Sequence, residues 1–278
     1  MASSSLSLLE WFHSVTTPPF ILLLDGGVST YLEHILREKH QVFSHRALWS
    51  SSLLLNGEKE IIQNAHQAFC NAGADILSTV TYQCHYNTGE ISDDVMSKML
   101  RDGVQWAKTM SSAVSSSSCY IAASSGCYGA SLADGSEYTG DYGHDVTLSH
   151  LMDFHGRKFK VLAEESPDAV AIETIPNLLE CRAVMTMLME QECNHHHHLA
   201  VWISLACQDG NLLNDGSRLE DALDVIQEMD PSAKYGVGIN CCDSLYGTYV
   251  SILFGGFWSF FLSTTTHLDC LIYINRLF

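Results

Sequence analysis

Short apolar runs alternate along the chain with longer segments in which apolar residues recur at helical spacing. This alternation is typical of consecutive βα units rather than of a β-sandwich. The predicted strands are residues 20–24, 76–82, 120–123, 169–173, 199–205 and 236–240. The predicted helices are residues 58–71, 92–113, a segment that begins near 147, 177–192 and 219–229. The pattern therefore predicts about six βα units.

Terminal signals support several of these helix boundaries. Asn177 with Glu180, and Ser217 with Glu220, have the spacing of a capping box, in which the first side chain accepts a backbone N–H at the helix start. Gly73 follows the predicted helix 58–71, where a glycine favours helix termination.

About six βα units in regular succession favour a parallel barrel of the (β/α)8 TIM type, with its chemistry at the carboxyl ends of the strands. A doubly wound sheet is the alternative fold. That fold is expected to carry a glycine-rich phosphate loop after its first strand, and the turn Asp25-Gly26-Gly27 lacks the third glycine of that motif. We therefore expect an α/β barrel that is incomplete, because only about six of eight units are recognisable.

The amino-acid composition limits the kinds of binding partner and the cellular compartment that we expect. The chain has 278 residues, and 32 acidic residues against 14 Lys and Arg give a net charge of −18. Such a charge repels nucleic acid and anionic lipid surfaces, so we expect small-molecule partners and no nucleic acid. The ten cysteines are spread without the spacing of a disulfide framework, which indicates a reducing compartment and a cytoplasmic location. The oligomeric state is left open.

The two ends of the chain differ from its middle. We expect a leader over residues 1–19, a barrel domain over 20–242 and a divergent hydrophobic tail without strands or helices over 243–278. The apolar segment 249–262 could attach to a membrane. It falls short of the ~18–20 residues of a spanning helix, and Gly255-Gly256 interrupts it, so we expect no membrane association.

Polar and small residues follow the predicted strands, and in a barrel they would line one mouth. They are Asp25, Gly26, Gly27, Thr79, Thr81, 124–126, Glu173, Thr174, 204–207, Asn240 and Cys241. Two carboxylates could indicate glycoside hydrolysis, but aromatic platforms for a sugar are sparse at these positions. The acids could equally hold an ammonium group and the glycine turn a carboxylate, which together describe an α-amino acid.

Several blocks of this sequence resemble the homocysteine S-methyltransferases, the family that includes the plant enzymes using S-methylmethionine and the betaine-homocysteine methyltransferases. The order and spacing of the blocks agree with the family from residue 20 to about 241. The blocks are LLLDGGVSTYLE (22–33), LWSSSLLL (48–55), AGADILSTVTYQ (72–83), SSGCYGASLADGSEYTGDYG (124–143), AIETIPNLLE (171–180), WISLACQDGNLLNDG (202–216) and VGINC (237–241).

The resemblance implies a zinc-dependent barrel that moves a methyl group from S-methylmethionine or S-adenosylmethionine to the zinc-bound thiolate of homocysteine, giving methionine. It implies that Asp25 and Glu173 bind the amino group of homocysteine and that Gly27 and Thr79 position its carboxylate. The implied substrate-binding residues are Asp25, Gly26, Gly27, Thr79, Glu173 and Asn240, and the implied zinc ligand is Cys241.

The chain departs from its family after Cys241. The family supplies two further zinc thiolates from a GGCC motif on its last barrel strand, whereas Gly255-Gly256 in this chain is followed by Phe257-Trp258. Two functions therefore stay open at this point. The chain is either an active methyltransferase or a truncated isoform without the zinc-binding cysteine pair, with residual amino-acid binding or a regulatory role.

Overall fold

The computed structural model describes residue 8 and residues 20–86, 89–113, 119–192, 199–232, 234–241, 262–263 and 272–274. The strands are β1 (Phe20–Leu22), β2 (Ile76–Ser78), β3 (Tyr120–Gly126), β4 (Ala169–Ile175), β5 (Ala200–Ala206), β6 (Gly236–Asn240), β7 (Leu262–Ser263) and β8 (Ile272–Ile274). The helices are α1 (Val28–Glu38), α2 (Ser52–Leu55), α3 (Lys59–Asn71), α4 (Asp93–Ala113), α5 (Tyr128–Leu132), α6 (Ser136–Thr139), α7 (Leu148–Glu164), α8 (Leu178–Glu192) and α9 (Leu219–Met229), and a 3₁₀ turn spans Trp49–Ser51.

The strands form a parallel sheet in chain order. β2 to β7 pair side by side, each parallel to the next, and Leu24 forms a parallel bridge to Ile76 at the β2 edge. A doubly wound sheet would reverse its strand order at a switch point, and this sheet does not reverse. The fold is thus an incomplete TIM-type barrel, which confirms the prediction of fold class.

Most predicted elements occur within one or two residues of their expected bounds. The main differences are that β2 ends at Ser78 rather than Tyr82, and that β3 and β4 continue to Gly126 and Ile175. The sequence prediction also missed α1, which it had included in the opening strand and turn. Strand length depends on pairing with a neighbour, so an isolated apolar run does not determine where the strand ends.

One of the two capping predictions is confirmed. The Asn177 Oδ1 accepts the backbone N–H of Glu180 at 2.8 Å, which fixes the start of α8. The prediction for Ser217 is wrong: Arg218 is the residue that precedes α9, and the Ser217 hydroxyl donates to Asp215 at 2.8 Å. Ser217 is instead bound within the turn that leads to the helix.

The inner face of the sheet changes from apolar to polar residues towards the carboxyl ends of the strands, where the candidate site lies. Apolar residues point inward on alternate positions along each strand, and they include Leu24, Ile76, Ala122, Ala171 and Trp202. The alanines of β3 and β4 leave room that the indole of Trp202 fills, and this side chain is 1% exposed. Two residues further along the same strands, the inward positions become polar, at Ser124, Glu173 and Ser204.

The outer face of the sheet packs against the helices. Its buried residues include Ala123, Val170, Ile172, Val201, Ile203, Leu205, Val237 and Ile239, which belong to one cluster with residues of the surrounding helices. Each fully buried aliphatic side chain of this kind stabilises the fold by about 1.5–3 kcal/mol relative to solvent exposure. The helices therefore hold the sheet curvature that brings the strand ends together.

The tail differs from its expected lack of secondary structure. β7 extends the sheet beyond β6, while β8 pairs antiparallel with β1 and also contacts β7. Both edges that six βα units would leave open thus carry a short strand. The rest of the predicted tail, residues 249–261 of the apolar segment and nearly all of the predicted leader lie outside the described residues. Among the helices described, none is both long and apolar enough to cross a membrane.

Candidate active site

Asp25 lies at the polar mouth, beside the end of β2. The chain reaches it from β1, and its backbone N–H donates to the carbonyl of Ile76 at 2.9 Å, beside β2. Its Oδ2 accepts the N–H of Ser78 at 2.7 Å. The side chain is 2% exposed, and Oδ1 has no hydrogen-bond partner among the described residues. A buried carboxylate oxygen in this state has the capacity to accept a donor from a ligand.

Glu173 faces the same mouth from the end of β4. Its Oε2 accepts the Ser124 hydroxyl at 2.8 Å, and burial raises the pKa of the Glu173 carboxyl to about 7. Burial also raises the pKa of Asp25 well above its usual range, and the charge of Glu173 adds to that rise despite the opposing hydrogen bond from Ser78. The two acids are thus close enough to interact, and a bound cation would favour their ionised forms.

The turn after Asp25 opens directly into a helix. Gly27 precedes α1, and the Gly26 and Gly27 carbonyls accept from Val28 at 2.7 Å and Tyr31 at 2.9 Å. A β-carbon on Gly26 would lie 3.3 Å from the Phe69 ring, so this turn has little space for a larger residue. The N-terminus of an eleven-residue helix beside Asp25 favours an anionic group.

Thr79 is buried at the end of β2, and its hydroxyl is already engaged. The Thr79 Oγ1 accepts the Ser124 N–H at 3.0 Å and lies 2.6 Å from the Thr81 hydroxyl. Thr81 in turn donates to the Ser124 carbonyl at 2.6 Å. These bonds join the end of β2 to β3 and hold Ser124, the partner of Glu173, in place. A direct contact of Thr79 with substrate stays a prediction.

Asn240 and Thr174 brace the ends of β6 and β4. The Asn240 Oδ1 accepts the Thr174 N–H at 3.0 Å, and its Nδ2 donates to the Thr174 hydroxyl at 2.9 Å. Thr174 and Cys241 both have positive φ, at 65° and 52°, and the Thr174 Oγ1 lies 3.7 Å from the Cys241 Sγ. Such left-handed conformations of residues other than glycine cost energy and are concentrated at functional sites. Asn240 therefore positions Glu173 and Cys241, while its contact with substrate also stays a prediction.

Tyr82 and Cys127 also line this region. Sequence reasoning assigned no role to Tyr82 and considered Cys127 only as one of the strand-end cysteines that could add to a zinc site. The Tyr82 hydroxyl lies 4.0 Å from the Cys127 Sγ. Burial raises the pKa of Tyr82, and the thiols of Cys127 and Cys241 add to the rise. A β-carbon on Gly126 would lie 2.5 Å from the Tyr82 carbonyl oxygen, so only glycine fits there. Tyr82 belongs to the block 72–83 of the family resemblance, which is the signal that could have identified it.

The polar segment 126–145 after β3, whose length predicts a binding loop, is anchored by a buried network that the sequence did not reveal. Glu180 and Lys158 are both 1% exposed or less. The Glu180 carboxylate accepts three hydrogen bonds, from the Tyr128 N–H at 2.6 Å, the Tyr142 hydroxyl at 2.6 Å and the His155 Nε2 at 2.8 Å. The Lys158 ammonium donates to the Gly126 carbonyl at 2.6 Å and lies 4.0 Å from the centre of the Phe154 ring. Burial lowers the pKa of Lys158 to about 8. The network fixes the residues that follow Gly126 at the mouth.

The described residues do not by themselves fit a zinc ion. Cys241 stands at the strand end that the family resemblance implies, but no group of three His, Cys, Asp or Glu side chains in the described part of the chain could hold a metal. Structural and catalytic zinc sites generally need three or four protein ligands. Cys242, the neighbour of the implied ligand, lies outside the described residues.

The chain belongs to the homocysteine S-methyltransferase family, whose model matches residues 22–275. That span continues beyond residue 242 and includes β7 and β8. The chain is 36% identical over 232 residues to Homocysteine S-methyltransferase 1 of Brassica oleracea var. italica, covering 79% of this chain and 68% of that one. It is also 36% identical over 248 residues to Homocysteine S-methyltransferase 2 of Zea mays, covering 83% and 69%.

The fold is similar to that of a solved homocysteine methyltransferase. The metallated form of the homocysteine methyltransferase MmuM from Escherichia coli superimposes with a TM-score of 0.74 at 26% identity, covering 88% of this chain and 83% of that one. The family consists of transferases that methylate homocysteine, and the metallated relative indicates metal-dependent chemistry in the family.

Proposed function

We propose that this chain binds homocysteine at the mouth of the barrel and methylates its sulfur, with S-methylmethionine or S-adenosylmethionine as the donor and methionine as the product. The observation that carries the proposal is the pair of acids at the strand ends, Asp25 and Glu173. The Oδ1 of Asp25 is buried without a partner among the described residues, and the pKa values of both carboxyls are raised. An ammonium group between them would supply the missing donor and the missing positive charge.

The same mouth offers partners for the other groups of homocysteine. With its ammonium group at Asp25 and Glu173, its carboxylate lies towards Gly27 and the N-terminus of α1, where backbone N–H groups favour an anion. Its sulfur then extends towards Tyr82 and Cys241. The covalent change is simple: the sulfur of homocysteine forms a bond to the methyl carbon, the donor's sulfonium–methyl bond breaks, and the donor leaves as a neutral thioether.

The acceptor thiol has to lose its proton for this step, because the thiolate is the nucleophile and a free thiol has a pKa near ~8.5. In the family, a bound metal is expected to supply that deprotonation, with Cys241 as one ligand. We include zinc in the proposal as a prediction from the family resemblance. The described residues assign it no geometry, so the roles of the chain's own side chains are to bind and orient homocysteine.

One observation favours a second candidate function. No group of three metal-ligating side chains lies together in the described part of the chain. A chain that binds homocysteine through Asp25 and Glu173 but lacks a complete metal site would retain amino-acid binding without turnover and would have a regulatory role. For either candidate we propose a cytoplasmic location, because the ten cysteines of the chain are spread without the spacing of a disulfide framework.

Ligand binding and turnover distinguish the two candidates. Calorimetric titration of the purified full chain with L-homocysteine measures the affinity that the acid pair is proposed to provide. The matched ligand control is 4-mercaptobutanoate, which lacks only the amino group. Metal content and methionine formation from each donor are measured on the same sample. Zinc near one per chain with turnover supports the methyltransferase, whereas homocysteine binding without zinc or turnover supports the second candidate. Equal affinity for the two ligands would contradict the proposed role of Asp25 and Glu173 in both.

A further inference from the structure

Two cysteines meet at the end of the sheet opposite the candidate active site. Cys70 lies in the last turn of α3, and Cys119 immediately precedes β3, whose other end carries Ser124 and Gly126. The two Sγ atoms are 2.8 Å apart, and the Cys119 Sγ also lies 3.2 Å from the carbonyl oxygen of Ala74. Both residues are buried in a small apolar cluster with Leu77, and they are 5% and 6% exposed.

We propose that Cys70 and Cys119 form a reversible disulfide, a modification site separate from the methyl-transfer site. A disulfide bond is ~2.05 Å long, so the sulfurs need to approach by only ~0.8 Å from their observed separation of 2.8 Å. The two residues are 49 positions apart in the sequence, and only the packing of α3 against the start of β3 brings them together.

The oxidant in this proposal is a small hydroperoxide, which accepts two electrons from the two thiols. One thiolate attacks a peroxide oxygen and breaks the O–O bond, which gives a sulfenic acid and releases hydroxide. The second sulfur then attacks the sulfenic sulfur, forms the S–S bond and expels the sulfenic oxygen as hydroxide. The two thiol protons convert both hydroxides to water, so two thiols and one hydrogen peroxide give one disulfide and two waters.

The environment of the pair determines how fast each step runs. Burial raises the pKa of Cys119 to about 12, and the neighbouring Cys70 adds to that rise, so a first attack by the Cys119 sulfur is slow at neutral pH and faster at higher pH. The second step follows rapidly because the other sulfur is already in contact. The bond therefore forms under sustained oxidation and is removed by dithiol reductants.

The bond would connect α3 to β3 around β2. The segment between α3 and β2 is already joined to the same region, since the Tyr120 N–H donates to the Asp75 carbonyl at 2.8 Å. A covalent link at this position closes a loop of about fifty residues, which restricts the unfolded chain and stabilises the folded one. In a barrel whose last strands are short, this stabilises the first part of the sheet without touching the residues of the mouth.

Peptide mapping of the full chain tests the proposal. The reduced protein is treated with hydrogen peroxide at pH 8, remaining thiols are blocked, and the digest is analysed by mass spectrometry with and without dithiothreitol. The variants are Cys70→Ser and Cys119→Ser. The matched control is Cys181→Ser, which removes another buried thiol, one whose Sγ lies 3.8 Å from the Ala222 carbonyl oxygen.

We expect a peptide linked through residues 70 and 119 in the wild type and in Cys181→Ser, and its disappearance after dithiothreitol. The linked wild-type protein should melt on the order of 5–10 °C above the reduced protein. A digest in which other cysteines are oxidised but 70 and 119 are not linked would overturn the proposal. If a serine variant does not fold, the comparison of melting temperatures of the wild type with and without dithiothreitol still tests the stabilising role of the disulfide. Equal melting temperatures of the linked and reduced forms would refute that role.

Discussion

Replacing Glu173 by glutamine separates the free-energy cost of a half-buried carboxylate from the contribution of that carboxylate to ligand binding. The pKa of Glu173 is about 7 in the folded chain against 4.5 for an ordinary glutamate, so the folded state keeps this proton to higher pH than the unfolded chain does. For such a group, stability is complete below pH 4.5 and is lost as the pH rises towards 7. At ~1.36 kcal/mol per pH unit, this difference corresponds to about 3.4 kcal/mol. The side chain is partly exposed, and screening by solvent reduces the loss to about 2 kcal/mol.

Glu173→Gln removes the ionisable group but keeps an oxygen that can accept the Ser124 hydroxyl. We therefore expect the ligand-free variant to gain about 2 kcal/mol in the free energy of unfolding at pH 8, relative to wild type, and nothing at pH 4.5. Homocysteine binding should weaken at the same time by ~10- to 100-fold, because a charge-assisted hydrogen bond to its ammonium group is lost.

Urea denaturation at pH 4.5, 6 and 8 measures the first effect, and titration with homocysteine measures the second. Glu228→Gln is the matched control, since Glu228 is exposed in the last turn of α9 and its replacement should change neither the slope with pH nor the affinity. Parallel stability profiles of wild type and Glu173→Gln between pH 4.5 and 8 would refute the electrostatic reasoning. Unchanged affinity for homocysteine would refute the assignment of Glu173 to its ammonium group.

Three further predictions address the fold and the loop around the site. Burial lowers the pKa of His66 to about 4, so the contribution of His66 to stability should fall by about 3 kcal/mol as the pH drops from 6.5 to 4. In urea denaturation, His66→Leu should therefore lose less stability than wild type over this pH range; the same pH dependence in both proteins would contradict this prediction. Trp202→Ala should lower the free energy of unfolding by about 3–5 kcal/mol in urea denaturation, because it opens a cavity inside the barrel. Val42→Ala on the surface should lower it by less than ~0.5 kcal/mol. Similar losses in the two variants would contradict the packing of Trp202 in the barrel interior. Lys158→Met should destabilise the protein by about 3 kcal/mol, because the Gly126 carbonyl loses its hydrogen-bond donor. Titration should also show weaker homocysteine binding. Unchanged affinity in a folded variant would show that the network does not influence the site.

The helices and strands were largely readable from the sequence, because the signals that specify them are local. The period of apolar residues in 58–71 or 236–240 depends only on neighbouring positions, and α3 and β6 follow these ranges closely. The Asn177 cap was predictable for the same reason, since a side chain and a backbone N–H three residues away form the bond. Ser217 shows the limit of this reasoning, because Arg218 is the residue that precedes α9 and the Ser217 hydroxyl donates to Asp215 in the preceding turn.

The positions of the acids at the mouth were also determined by the sequence. Asp25 and Glu173 follow apolar runs, and parallel strands bring such residues to one end of a barrel whatever their exact register. The sequence could not show that the Asp25 Oδ1 is buried without a partner among the described residues, that Thr79 and Asn240 are engaged in joining strands, or that Glu180 anchors a loop more than thirty residues before it in the chain.

The sequence by itself determined the class of fold, the family and the chemical types of residue at the mouth, since each of these is encoded in short segments. Only the tertiary structure decided which of those polar groups are satisfied by the protein and which are left for a ligand. It also brought Cys70 and Cys119 together, 49 positions apart, and placed β7 and β8 at the edges of the sheet. The physical reason is that side-chain pairing depends on strand register and helix packing, which are set by contacts across the whole barrel rather than by neighbours in the chain.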